Sequence, residues 1–299
     1  MGVLTTGIGL EKVPRMRTYP IEVLMRLKKN RLAMSGLIII LLLILIAILA
    51  PVISPHDSIE QNTKLRLQGP SWEYPLGTDA LGRCVLSRLL HGAAFSLRVG
   101  ITVVAITATA GTLLGLLTGF LGGIVDEIIM RIVDILLAFP GLVLSLVIAG
   151  VLGPGLFNVM LALSIISWTG YARLVRSCVL VTKEKTFIEG AKSLGYKRHQ
   201  IMFRYILPEV ISPVVVMATL GMGGTILAAA ALSFLGLGAQ PPDPEWGSML
   251  NDGRTYLRKA PHLATFPGLA IMITVLAFNF LGDGLRDALD PRQKKRVEL

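Results

Sequence analysis

From residue 135 to residue 172 the chain runs for 38 residues without one acidic or basic side chain. As a single helix the run would extend ~57 Å at about 1.5 Å per residue, nearly twice the ~30 Å hydrocarbon core of a bilayer. It must therefore fold back, and Gly153, Pro154 and Gly155 near its middle supply the break, making two membrane spans. Four more apolar runs have spanning length, at residues 32–53, 99–125, 211–235 and 263–281. The expected fold is an all-α integral membrane protein with six transmembrane helices. A content of 53% hydrophobic and 16% charged residues agrees, since soluble domains average about a quarter charged. In the second run Gly111, Gly115 and Gly119 recur every fourth residue, a stripe that lets another helix approach closely.

Charge sets the expected orientation. The net charge of +10 would suit a nucleic-acid-binding protein, but the basic residues lie beside and between apolar runs, with no aromatics interleaved in a basic patch. They are assigned to topology and lipid headgroups, and nucleic acid is not expected as a partner. Seven of them, Lys12, Arg15, Arg17, Arg26, Lys28, Lys29 and Arg31, precede the first run and resemble the n-region of a secretory signal. Residues 32–53 are too long for a cleaved apolar region, so the segment reads as a retained anchor. With the N-terminus inside, 21 of the 29 basic residues fall in inside segments. The other eight, Lys64, Arg66, Arg83, Arg88, Arg98, Arg254, Arg258 and Lys259, lie outside or at outer span ends. The chain then divides into a cytoplasmic tail (1–31), a first span (32–53), an extracytoplasmic segment (54–94), a five-span core (95–284) with a cytoplasmic loop at 186–208, and a second cytoplasmic tail (285–299).

Catalytic signatures are missing. There is no GxxxxGK[ST] phosphate cradle, no GxGxxG turn and no GxSxG elbow, so neither a nucleotide site nor a catalytic residue is expected. His56, His91, His199 and His262 are scattered and form no HExxH, and Cys84 and Cys178 form no CxxC, so no metal is expected. An ion-coupled carrier keeps ionisable groups inside its spans. Here Asp126, Glu127, Asp134 and Asp283 sit near expected cytoplasmic span ends, where they cap helices or pair with Arg131 and Arg286. These features alone leave a self-contained channel open.

The segment 186–208 is of a different kind. Phe187, Ile188, Ala191 and Leu194 repeat at helical spacing and Gly195 supplies a stop. Ile201, Met202, Tyr205 and Ile206 share the face of a second short helix that Pro208 is expected to end. Helices this short need a surface to lie on. One reading is an interfacial loop whose lysines and arginines touch headgroups; the other is a docking element.

The residue pattern, EGA, three residues, Gly195, nine more and YILP, resembles the EAA loop of permease subunits of binding-protein-dependent ABC importers. Glu189, Ala191, Gly195, Leu207 and Pro208 keep that pattern, while Gly190 stands where alanine is usual and Tyr205 where isoleucine is usual. The resemblance covers about residues 75–291. PLGTDALGRCVLSRLLHGA is similar to the family's GTDxxGRDxxSRLxxGA segment, with Cys84 in place of an aspartate. GGIVDEIIMRIVDILLAFPGL, ALSFLGLGAQPPDPEWGSML and FPGLAIMITVLAFNFLGDGLRDALDPR look like permeases for dipeptides and oligopeptides, of the DppC/OppC type.

This resemblance implies a type I importer (MetI-like) fold in a prokaryotic plasma membrane, both termini cytoplasmic. It implies four kinds of partner: a homologous permease of the DppB/OppB kind, two ATP-binding subunits, an extracytoplasmic solute-binding protein and a peptide substrate. ATP and magnesium would be bound by the ATPase subunits and no cofactor by this chain. Glu189, Gly190, Ala191, Gly195, Leu207 and Pro208 would couple it to the ATPases. Gly77, Thr78, Asp79, Gly82, Arg83, Glu245 and Trp246 would meet the binding protein. A nickel or metal-chelate importer and, from another class, a self-contained channel or ion-coupled carrier are the alternatives.

Overall fold

The computed structural model describes residues 19–289. Its regular elements among these residues are all helices, joined by irregular segments such as 54–84, with one isolated bridge between Thr78 and Cys84. The helices are α1 (Tyr19–Lys29), α2 (Arg31–Ile53), α3 (Val85–Leu121), α4 (Gly123–Leu137), α5 (Gly141–Leu152), α6 (Leu156–Thr182), α7 (Thr186–Ser193), α8 (Arg198–Ile201), α9 (Leu207–Phe234), α10 (Trp246–Arg254) and α11 (His262–Leu289). The outer parts of the two expected tails, 1–18 and 290–299, lie outside the described residues.

Four stretches are long and apolar enough to cross a membrane: α2, α3, the continuous Arg198–Phe234 and α11; α4 with α5 makes a fifth if the bent pair is one span. The one expected span not in this set, the second half of the 135–172 run, corresponds to α6. It has the length, 27 residues, but Asn158, Ser164, Ser167, Thr169 and Arg173 dilute its apolar character. The expected count of six is therefore met only as four or five by length and composition.

The fold-back comes where the sequence places it. α5 ends at Gly153, α6 starts after Gly155, and both glycines have positive φ, +86° and +151°. A second break was not anticipated: α4 and α5 meet at 89°. Pro140 has no N–H to donate and pushes Phe139 out of helical conformation, so the helix turns there. The 12 residues of α5 reach only ~18 Å and do not cross a bilayer alone.

Two helices are longer than expected. α3 has 37 residues, ~56 Å, and joins the amphipathic stretch after residue 84 to the second apolar run, so the expected division at 94/95 falls inside one rod. Likewise Pro208 does not end a helix. α8 passes through a π-turn, Met202–Ile206, directly into α9. The Leu207 N–H bonds five residues back to Met202 O. The widened turn gives room to a proline whose ring would clash in an ordinary helix.

α3 is the central post, packed by α6, α9 and α2. Its glycine stripe does what the spacing predicts. A Cβ on Gly111 would lie 2.4 Å from Tyr171 Cβ, on Gly115 2.6 Å from Ala172 O, and on Gly119 2.7 Å from Val179 Cβ. α2 lies against α11 just as closely, with a Gly36 Cβ 2.5 Å from Ala277 O. Thus α3–α6 and α2–α11 are both tight seams.

Candidate functional site: a docking loop, an open groove and a locked outer face

The loop at 186–208 has two unlike sides. Ile188 and Ala191 are buried with Ile201, Ile206 and Val210 against Leu116 of α3 and Val175 and Val179 of α6. On the other side Phe187 is 42% and Leu194 78% exposed, with Glu189 and Gly190 also exposed between them. Of the four residues at helical spacing, Ile188 and Ala191 turn inward, while Phe187 faces out from the first turn of α7 and Leu194 lies beyond its end at Ser193.

Gly195, at φ +80°, closes α7. Its N–H bonds to Lys192 O (3.0 Å) and the Tyr196 N–H to Ala191 O (3.2 Å), the paired bonds of a Schellman stop. Tyr196 then meets Tyr205 edge to face at 5.6 Å, and Lys185 pairs with Glu209. Leu207 is half-buried and Pro208 exposed. The stop, the ring contact and the ion pair tie α7 to the base of α9. Of the six expected coupling residues, Glu189, Gly190, Gly195 and Pro208 are therefore open to a partner, and Ala191 is an inward anchor.

Two of the four acidic residues near the span ends, Asp126 and Asp134, pair with a neighbouring helix. Asp126 is held by Arg176 through two contacts of 2.5 and 2.6 Å, and Asp134 by Arg173 at 2.6 Å. These are not the partners expected within α4 or from α11. The bonds hold the bent α4 to α6, on the same side of the molecule as the loop.

Between α3, α6 and α9 a groove of about 830 Å³ stands open, lined mostly by apolar side chains with Thr107, Ser167, Tyr171, Ser212 and Thr225 among them, and Arg286 of α11 at one end. No sequence signal located it, because both faces of each helix are apolar. Among the described residues no group of three or more His, Cys, Asp or Glu side chains could hold a metal ion.

The seven residues expected to contact an outside protein are placed differently from that expectation: Gly77, Thr78, Asp79, Gly82, Arg83, Glu245 and Trp246 are all buried. Asp79 is their hub. Its carboxylate accepts from the Leu81 N–H (2.8 Å), the Arg83 N–H (2.9 Å) and Arg83 Nε (2.6 Å), and pairs with Arg88 at 3.7 Å. Arg83 also reaches Asp252 (3.3 Å), and Arg88 donates to Ser58 O (3.2 Å) and Pro242 O (3.3 Å). Two buried guanidinium groups thus clamp the 54–84 segment to the loop before α10. Gly77 and Gly82, at φ +79° and +74°, give the tight turns that bring Asp79 inward.

Glu245 caps α10, accepting from the Ser248 N–H at 2.9 Å. Burial pushes its carboxyl up, and the Gly247 and Ser248 N–H groups offset this in part. Trp246 inserts against α3, donating Nε1–H to Leu89 O at 3.0 Å. It fits because position 92 is glycine: a Cβ there would lie 2.7 Å from the indole. These seven residues give this face of the molecule its shape.

Residues 111–295 match the family described as the binding-protein-dependent transport system inner membrane component, and residues 19–70 match the N-terminal TM domain of oligopeptide transport permease C. The dipeptide transport system permease protein DppC of Alkalihalophilus pseudofirmus is 50% identical over 273 residues, 91% of this chain and 90% of that protein. The glutathione transport system permease protein GsiD of Escherichia coli is 49% identical over 289 residues, 96% and 95% of the two chains. That of Pectobacterium atrosepticum is 48% identical over 270 residues, 90% of each.

Proposed function

The chain belongs to the family of binding-protein-dependent transport system inner membrane components, and from that premise we propose that it is one of two permease subunits of an ATP-driven importer for short peptides. A multi-pass inner membrane protein of this family is a transport component, not a catalyst. The peptide assignment rests on relatives named for dipeptide and for glutathione transport, both peptides. In this reading α4 with α5 is one broken span, α6 is the fourth of six spans, and both termini and the 186–208 loop face the cytoplasm.

The observation that carries the mechanism is the two-sided loop. Its outward side, Phe187, Glu189, Gly190 and Leu194, offers an apolar pair with one carboxylate to a separate ATPase subunit. Its inward side is fixed to α3 and α6, and the π-turn makes it continuous with α9. Closure of two ATPase subunits around ATP and magnesium would then move α7 and the base of α9 as one lever and open the groove outward. A homologous permease completes the pathway. A solute-binding protein delivers the peptide to the outer face, whose exposed rim makes the contact while Asp79, Arg83, Glu245 and Trp246 hold its shape from behind.

Reconstitution tests this. The assembled subunits in proteoliposomes are expected to take up labelled dipeptide only with ATP and binding protein, and Glu189→Lys or Gly195→Pro to abolish uptake while leaving membrane insertion intact. Solute flux through this chain alone, without an ATPase, would instead make it a channel or carrier and end the proposal.

A further inference from the structure

We propose that α1 lies in the bilayer surface, binds the headgroups of anionic phospholipid, and so fastens one end of α11 to the membrane. The proposal rests on the chain spanning a membrane and is independent of which solute it moves.

α1 cannot be far from the bilayer. Asn30 alone separates it from α2, where its Oδ1 accepts the Ala33 N–H at 3.1 Å, and α2 is the most apolar of the candidate spans. One side of α1 is fixed to the protein. Leu27 is buried beside Gly284 of α11, where an added Cβ would lie 3.3 Å from Leu27 Cδ1 and 2.2 Å from Ala33 Cβ. A larger residue at 284 would press on Ala33 at the start of α2 and crowd the end of Leu27.

The rest of α1 has a mixed character. Leu24 is 52% and Met25 53% exposed; around the helix Lys28 stands between them and Lys29 just beyond Met25, both also exposed. Arg31 and Leu32 continue the same surface onto α2. Open water disfavours the first pair and a dry protein interface disfavours the lysines. The boundary between acyl chains and headgroups suits both, because apolar side chains insert while lysine stems reach up to phosphate.

The sign of the charge selects the lipid. Among the described residues no carboxylate pairs with Lys28, Lys29 or Arg31. The first 31 residues carry seven basic side chains against Glu11 and Glu22, and Arg292, Lys294, Lys295 and Arg296 follow α11 in sequence. Each basic side chain near an anionic surface strengthens binding about fivefold. Since α11 is itself seamed to α2 at Gly36, headgroup binding makes α1, α2 and α11 a static frame beside the moving α7–α9 lever.

The test uses the full assembly in nanodiscs of phosphatidylcholine with and without phosphatidylglycerol. Wild type is expected to unfold at higher temperature and to retain more lipid when phosphatidylglycerol is present, with the difference shrinking at high salt. Lys28→Gln/Lys29→Gln/Arg31→Gln is expected to lose most of that difference. Independently, a spin label on Met25→Cys, in a Cys178→Ser background, is expected to be more accessible to oxygen than to a water-soluble nickel complex. Equal responses of wild type and triple variant to phosphatidylglycerol would overturn the proposal. So would a label at position 25 that sits in water, or that becomes covered only when ATPase subunits are added, since a protein then occupies this face. Loss of peptide uptake in the reconstitution above bears on the transport reading and leaves these readouts untouched.

Discussion

Gly115 and Gly190 are the same residue under opposite constraints. A Cβ at 115 would lie 2.6 Å from Ala172 O and 2.7 Å from Val175 Cβ, both on the helix it packs against, so Gly115→Ala has to part α3 from α6. Overpacking of this kind costs about 1–3 kcal/mol. At 190, in the middle of an exposed helix, an added Cβ meets nothing within 4 Å, so Gly190→Ala is expected to stabilise by about 0.5–1 kcal/mol through lost backbone freedom in the unfolded chain. Thermal unfolding of the two purified variants in one detergent should show shifts of opposite sign. Glu245 makes a third case. Because burial raises its carboxyl above the ordinary 4.5, its contribution is fully present below that value and is lost as pH rises through the raised value. Stability of the outer face is expected to decline with rising pH in wild type and to decline less in Glu245→Gln, measured as the pH dependence of protease cleavage in the 54–84 segment.

At the scale of elements, the sequence declares where the chain must break or be small, and is silent where only packing decides. The fold-back at Gly153–Gly155 and the glycine stripe of α3 were legible because each has one physical consequence. The stop at Gly195 was legible too. Pro140 and Pro208 were not, since a proline ends, bends or widens a helix according to what surrounds it: the first turns the chain by 89° and the second sits behind a π-turn in a continuous rod. The outer residues illustrate a second limit. The family resemblance assigns Asp79, Arg83 and Glu245 to contacts with a binding protein, yet all three are buried, Asp79 paired with Arg83 and Glu245 capping α10. Continuity through the π-turn carries its own prediction. Inserting Gly-Gly between Ile206 and Leu207 leaves α7 docked on α3 and α6 but softens its link to α9. Stimulation of ATP hydrolysis by loaded binding protein is expected to fall at least tenfold in reconstituted assemblies, with subunit association unchanged in pull-downs.

The whole molecule is asymmetric about α3. On one side α2 and α11 close against it, and on the other the groove of about 830 Å³ between α3, α6 and α9 has no wall among the described residues of this chain. Apolar helices alone cannot say whether such a groove faces lipid or another protein, because hydrocarbon and a leucine-rich neighbour look alike to it. We read the half-buried hydroxyls of Ser167 and Thr225 as favouring a conduit shared with a homologous permease, whereas that of Thr107 is already spent on Val103 O. Thr225, half-exposed on α9, is the place to ask, and the native thiols interfere little, since Cys84 is buried and Cys178 is replaceable by serine. In the assembled importer a Thr225→Cys thiol is expected to react slowly with a membrane-impermeant reagent from outside in the absence of nucleotide. It should react several-fold faster when the ATPase subunits are trapped closed. The Gly-Gly insertion should hold it at the slow rate in both states, because the lever no longer pulls α9. A thiol that reacts only with lipid-soluble reagents, whatever the nucleotide, would mean that the groove faces the bilayer, and the pathway would then have to run along another face of α3.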